Sequence, residues 1–232
     1  MLSENRFTRY VLYALGEIVL VVIGILIALE VGVINDNMDR KELERKVLLE
    51  ISNNLEGDLV DIESEQRNFK LGMQKISMSI NHLRQKLPFH DSIAVAIEVA
   101  ELSPHLSIKL SGYKMLEAKG IDLISDDSLR IQISELYEIY YPYYTTYAGE
   151  RFNAIEMQVQ PYLTRNFFLE PYPEWPYYKR IPHNYAELLK DPQFISILQI
   201  GYFYADLMAA QAAELKFEVQ ELQSRIKTHL LR

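Results

Sequence analysis

Glu17 is a carboxyl set inside an apolar stretch, YVLYALGEIVLVVIGILIALEVGV from Tyr10 to Val33. In hydrocarbon such a group costs a few kcal/mol unless it is protonated or partnered. At ~100° per residue it shares a helix face with Tyr13, Val21, Gly24 and Ala28. Gly24, Ala28 and Gly32 follow one another at intervals of four, the small-xxx-small spacing that lets two helices approach closely. Three readings follow for Glu17: a hydrogen bond to a partner helix, a proton-relay carboxyl, or an interfacial side chain that snorkels from about two turns below Tyr10. The first makes Glu17, Val21, Gly24, Ala28 and Gly32 a predicted transmembrane helix contact.

Other reactive side chains are dispersed. The five histidines, His82, His90, His105, His183 and His229, form no H-E-x-x-H pair, and none has Glu three residues before it. His90-Asp91 is an isolated pair. Glu56, Asp58, Asp61, Glu63 and Glu65 form an acidic run that reads as the solvated side of a helix, since a calcium loop would need a Gly-bent turn. The chain has no Cys, hence no thiol nucleophile and no thiolate metal site. Gly-rich phosphate loops, nucleophile elbows and dinucleotide fingerprints are missing from the sequence. The expectation is a protein that is not an enzyme and takes no cofactor or metal. A net charge of −8 argues against a nucleic-acid partner.

The aromatics are uneven: 16 Tyr stand against one Trp. Tyr crowd between Tyr137 and Tyr147, and more follow in the Pro-dense stretch PYLTRNFFLEPYPEWPYYKRIPHNYAELLKDP from Pro161 to Pro192. Tyr143, Tyr144, Tyr172, Trp175, Tyr177 and Tyr178 are candidates for a partner or ligand surface, because Tyr and Trp are enriched at binding hot spots. The alternative is that these rings form the core of a distal cap, with hydroxyls reaching water or backbone.

These side chains must be carried by helices. Tyr10 to Val33 reaches the ~20 apolar residues needed to cross a bilayer, with Tyr10 and Tyr13 as interfacial aromatics. A cleaved signal peptide fits less well, because the apolar region is long and lacks a small-x-small site after it. Arg6 and Arg9 abut the span, whereas Arg40, Lys41, Arg45 and Lys46 come later. That balance favours a cytoplasmic amino-terminal tail, residues 1–9, and a periplasmic remainder, residues 34–232. From Leu48 to Leu87 apolar residues recur at intervals of three or four, with Gln66 filling one slot and a one-residue slip near Leu55 to Leu59, and Pro88 is expected to end the helix. A matching series from Phe194 to Leu230 begins beside Pro192, a first-turn proline. The predicted pair is therefore 34–87 against 192–232. Shorter helices and a non-helical Pro/aromatic loop fill 88–191: Asp91 to Leu102, Lys109 to Lys119 with Gly120 as cap, Asp126 or Asp127 to about Tyr140, and Thr145 to about Leu163. No alternating strand pattern is evident.

The opening ENRFTRYVLYALGEIVLVVIGILIALE, Glu4 to Glu30, resembles the start of an uncharacterised family of single-span membrane proteins abundant in Bacteroidota, in which YAxGEIxLVVIGILIALQ is nearly a signature. Leu15 occupies the variable slot, and Glu30 stands where that family usually has Gln. The usual N-N-W-N segment after the span is replaced by VGVINDN, Val31 to Asn37. A second stretch, Ser111 to Glu138, is similar through Tyr113, Leu116, Gly120, Leu123, Ile124, Leu129 and Arg130. The resemblance implies a topology and an all-helical domain, and no chemistry.

The expected architecture is all-α: a single amino-terminal transmembrane helix, then an elongated antiparallel bundle or coiled-coil stalk with an aromatic-rich cap. The expected role is a single-pass inner-membrane protein acting as a binding, scaffold or accessory subunit of an envelope complex, in contact with the bilayer and with a second copy or another membrane protein. The alternative is a sensory or ligand-binding module that uses the aromatic cap and signals through a partner.

Overall fold

The computed structural model describes residues 4–101, 103–171 and 178–231, and the chain divides into two compact units, residues 1–47 and 48–232. The first unit is the amino-terminal part of α1 (Glu4–Arg84). It contains an 18-residue window of mean hydropathy 2.7, long and apolar enough to cross a membrane, and none of that window is buried.

The described residues of the second unit form helices and one hairpin. Within it α1 continues to Arg84 and is followed by α2 (Ser92–Glu101) and α3 (Ser111–Lys119). α4 (Asp127–Glu135), α5 (Tyr141–Ala154) and α6 (Gln160–Asn166) come next. Strands β1 (Phe167–Pro171) and β2 (Tyr178–Pro182), the short α7 (Tyr185–Leu188) and the long α8 (Pro192–Leu230) complete it.

α1 ends at Arg84, earlier than the expected Leu87. Lys86 takes a left-handed φ of 51°, and the N–H groups of Lys86 and Leu87 reach back to the carbonyls of Leu83 and His82 at 3.0 and 3.3 Å. This is a Schellman closure, which satisfies end carbonyls before Pro88 is reached. α8 starts as its sequence requires: Asp191 accepts a bond from the Gln193 N–H at 2.8 Å, and Pro192 occupies the first turn. It runs antiparallel to α1. Lys216 pairs with Glu63 at 2.8 Å near one end, and a Cβ built on Gly201 would come within 3.6 Å of Ile76 near the other.

Two expectations about the middle of the chain are corrected. The helices expected to break near Tyr140 are one continuous course from Asp127 to Asn166, in which π-turns Leu136–Tyr140 and Ile155–Val159 join α4 to α5 and α5 to α6. Each π-turn ends two residues before a proline, Pro142 and Pro161. Proline has no N–H to donate and its ring crowds the carbonyl four residues back. A wider π-turn displaces that carbonyl, so the helix continues.

The second correction concerns the Pro/aromatic loop, which contains an antiparallel hairpin with Phe167 opposite Pro182 and Pro171 opposite Tyr178. Phe167, Phe168 and Leu169 suit a pleated surface, and the prolines stand at strand ends. Arg180 grips Glu101 of α2, with its Nε donating at 3.1 Å, and Lys179 pairs with Asp91 at 2.6 Å. The core beneath gathers Ile76, Ile80 and Leu83 of α1, Ile93 and Ile97 of α2, Leu163 of α6 and Phe194 and Leu198 of α8.

Candidate functional site

The buried side of α1 follows one heptad series. Leu48, Leu55, Ile62, Phe69, Ile76 and Leu83 repeat every seven residues, and all are buried. The companion series is Ile51, Asp58, Glu65, Gly72 and Ser79. The apparent slip near Leu59 disappears: Asp58 takes the inward place and Leu59 is half-buried. The acidic run is thus not a solvated face throughout. Glu56 is exposed, but the Asp58 side chain is fully buried.

Each polar side chain of this series is hydrogen-bonded to another element. Asp58 accepts the Tyr141 hydroxyl at 2.6 Å, the Lys109 backbone N–H at 3.1 Å and the Lys109 Nζ at 3.4 Å. Lys109 also reaches Asp61 at 3.0 Å. Glu65 accepts the Tyr144 hydroxyl at 2.6 Å and the His105 N–H. Ser79, wholly buried, donates to the Ser92 carbonyl at 3.0 Å. One turn before Asp58, Asn54 accepts the Gly112 N–H at 2.9 Å. Asn54, Asp58 and Glu65 of α1 therefore hold the start of α3, the connecting segment 103–110 and the tyrosine face of α5.

Burial dominates the electrostatics. It pushes the Asp58 carboxyl above its ordinary value, against the lowering pull of the Tyr141 and Lys109 bonds. Burial and the neighbouring Asp58 charge push the Tyr141 phenol far up, and burial with Glu65 does the same for Tyr144. Both phenols stay protonated and donate to these carboxylates. For Lys109, burial opposes the charge but Asp61 and Asp58 outweigh it, so its pKa is raised.

Arg151 lies fully buried at the centre of this network. Its guanidinium donates to the carbonyls of Val99 at 3.3 Å and Gly201 at 3.4 Å, and sits 5.3 Å from the centre of the Phe69 ring. Val99 stands in the last turn of α2, where carbonyls lack a partner within their own helix. Desolvation lowers the Arg151 pKa to about 10, opposed by Glu65. One side chain thus ties α5 to α1, α2 and α8.

Among the described residues no three His, Asp or Glu side chains converge as metal ligands. His90 accepts the Ser92 N–H at 3.1 Å at the start of α2, and Asp91 is engaged by Lys179 of β2. The network holds helices in register, and its one fully buried carboxylate, Asp58, is closed off by the Tyr141 hydroxyl and Lys109.

The residues singled out from the sequence have separate fates. Glu17, Val21, Gly24, Ala28 and Gly32 are all exposed, and a Cβ at Gly24 or Gly32 would meet nothing within 4 Å. Tyr143 is exposed, with its hydroxyl 2.9 Å from that of Tyr147. Tyr144 is corrected from surface to core: it is 3 % exposed because it lies on the α5 face turned toward Glu65. Tyr172, Trp175 and Tyr177 lie outside the described residues, as does the side chain of Tyr178.

The contrast between Tyr143 and Tyr144 gives a direct test. Tyr144→Phe strips a hydrogen bond from the half-buried Glu65 carboxylate and is expected to cost about 1–3 kcal/mol. Tyr143→Phe is expected to stay within about 0.5 kcal/mol. Thermal melts of the two variants in the same detergent check the ranking.

A profile described as a family of unknown function (DUF6090) matches residues 17–168. The chain belongs to that family. The match takes in Asp58, Glu65, Lys109, Tyr141, Tyr144 and Arg151, so the family segment contains the whole carboxylate–tyrosine network. No curated protein and no solved structure matches the chain.

Proposed function

We propose that this DUF6090 protein is a single-pass inner-membrane protein whose helical unit, residues 48–232, is a binding, scaffold or accessory subunit of an envelope complex. The observation that carries the reading is the unburied apolar window in the first unit. Water does not tolerate an uncovered apolar surface of that length, and a bilayer does. Tyr10 and Tyr13 lie at one end of it, as interfacial aromatics do. Arg6 and Arg9 precede it directly, which favours a cytoplasmic amino terminus and a periplasmic helical unit. Within the span, Glu17, Val21, Gly24, Ala28 and Gly32 form the face that meets a second copy, with Glu17 bonded across the helix pair. The helical unit contributes a surface rather than a reaction.

Membranes carrying the full chain test this. After alkaline carbonate extraction the protein is expected in the pellet, and detergent is needed to release it. Glu17→Leu is expected to remain in the pellet while losing most of the cross-linked dimer. Release by carbonate alone would remove the membrane reading, and an undiminished dimer in the variant would remove the role of Glu17.

A further inference from the structure

α8 is buried on one side only. Along the opposite side Phe203, Ala210, Glu214, Phe217 and Glu221 fall within one narrow stripe at ~100° per residue, and all are exposed. Phe203, Ala210 and Phe217 are spaced by seven, and the two Phe rings are 59 % and 60 % exposed. A small residue between two large ones lets a partner helix approach between anchors, as in helix-on-helix recognition.

The charged residues of this stripe from Phe203 to Glu221 are acidic, and Arg225, one turn beyond, reaches Ser128. Glu214, Glu218 and Glu221 of α8 and Glu135 of α4 lie close together, and the Glu218 carboxyl is raised by burial and by the three others, against the lowering bond from Tyr140. Among the described residues none of the four forms an ion pair with Lys or Arg. Lys216, in the same stretch of α8, is drawn away to Glu63. Half-buried Tyr147 of α5 feels the Glu214 charge, and its ring lies 4.9 Å, centre to centre, from that of exposed Tyr143. Carboxylates beside aromatic faces suit Lys and Arg side chains.

We propose that the outer face of α8, from Phe203 to Glu221, docks a basic amphipathic helix of a partner protein. Charge decides against a second copy: a parallel pair would oppose Glu214, Glu218 and Glu221 to themselves, and an antiparallel pair centred on Ala210 would oppose Glu214 to Asp206. A basic helix instead relieves the repulsion among the four carboxylates while covering both Phe rings. The inference rests on the reading of the helical unit as a binding subunit and names the chemistry of what it binds.

The test uses the full chain in zwitterionic-lipid nanodiscs and a fluorescent peptide of about three heptads built from Leu, Ala and Lys, with its Glu-for-Lys counterpart as comparison and empty nanodiscs as background. The Lys peptide is expected to bind and to weaken as salt rises. Glu214→Lys/Glu218→Lys/Glu221→Lys is expected to weaken it at least about tenfold, or about 1.4 kcal/mol, and to admit the Glu peptide. Phe203→Ala/Phe217→Ala changes exposed side chains only, so the fold is retained; it should weaken binding at least about fivefold, with circular dichroism unchanged. Equal binding of both peptides, or no loss in the double variant, overturns the proposal. So does a photo-reactive group at position 217 that joins two copies of the chain. Carbonate extraction reports membrane attachment independently, so failure of this face and failure of the membrane reading give different results.

Discussion

Asp58→Ala is expected to destabilise the helical unit by about 3 kcal/mol, because it orphans a buried Tyr141 hydroxyl and the Lys109 N–H. Asp58→Asn keeps an acceptor at the same place and is expected to cost less than about 1 kcal/mol. The two variants also separate hydrogen bonding from charge. Burial raises the native carboxyl above 3.8, its ordinary value. Below that value Asp58 is protonated in both the folded and the unfolded chain. Between 3.8 and the native pKa the folded chain keeps the proton and the unfolded chain has lost it. The stability owed to this group is therefore present at low pH and is lost as pH rises through that window. The Asn variant lacks this dependence, so its stability relative to the native chain is expected to improve as pH rises above about 4 and then level off. Thermal melts of the full chain in detergent across an acid-to-neutral series measure both effects. An Asn variant whose difference from native is flat with pH would show that burial does not govern Asp58.

The second large effect is expected at Arg151. Arg151→Ala removes a fully buried side chain, leaves the Val99 and Gly201 carbonyls without its N–H groups, and opens a cavity beside Phe69. A loss of about 4 kcal/mol follows from cavity and unpaired-polar costs together. Arg151→Met keeps much of the volume and removes the buried charge. It is expected to recover at least about half of that loss, since hydrophobic replacement of buried ionic groups is often close to neutral. If Met were as damaging as Ala, the hydrogen bonds rather than the packing would dominate. Melting temperatures of the two variants, with helical content as a check on folding, distinguish these outcomes.

Much of the helical architecture is legible in spacing alone. Asp191-Pro192 and Asp126 announce helix starts, and both residues accept the first-turn bonds their types predict. The apolar positions of α1 are legible as a period. Asp58 and Glu65 are not, because a carboxylate scores as a solvent residue until its partners are known. Those partners, Lys109, Tyr141 and Tyr144, are 51, 83 and 79 residues away along the chain. The signal that was available is positional: Asp58 stands midway between Leu55 and Ile62 in a series that otherwise breaks. Tyr143 and Tyr144 show the same limit, since adjacent tyrosines in a helix point about 100° apart and only the surrounding elements decide which is buried.

Composition and periodicity by themselves determined a mainly helical build with one long apolar segment near the amino terminus, because hydrophobic length and spacing are local quantities. Tertiary structure alone decided that a hairpin closes over Glu101 and that Asp58 and Glu65 turn toward other elements. Both depend on groups distant in sequence supplying a hydrogen bond, and such donors become visible only once the chain has folded around them.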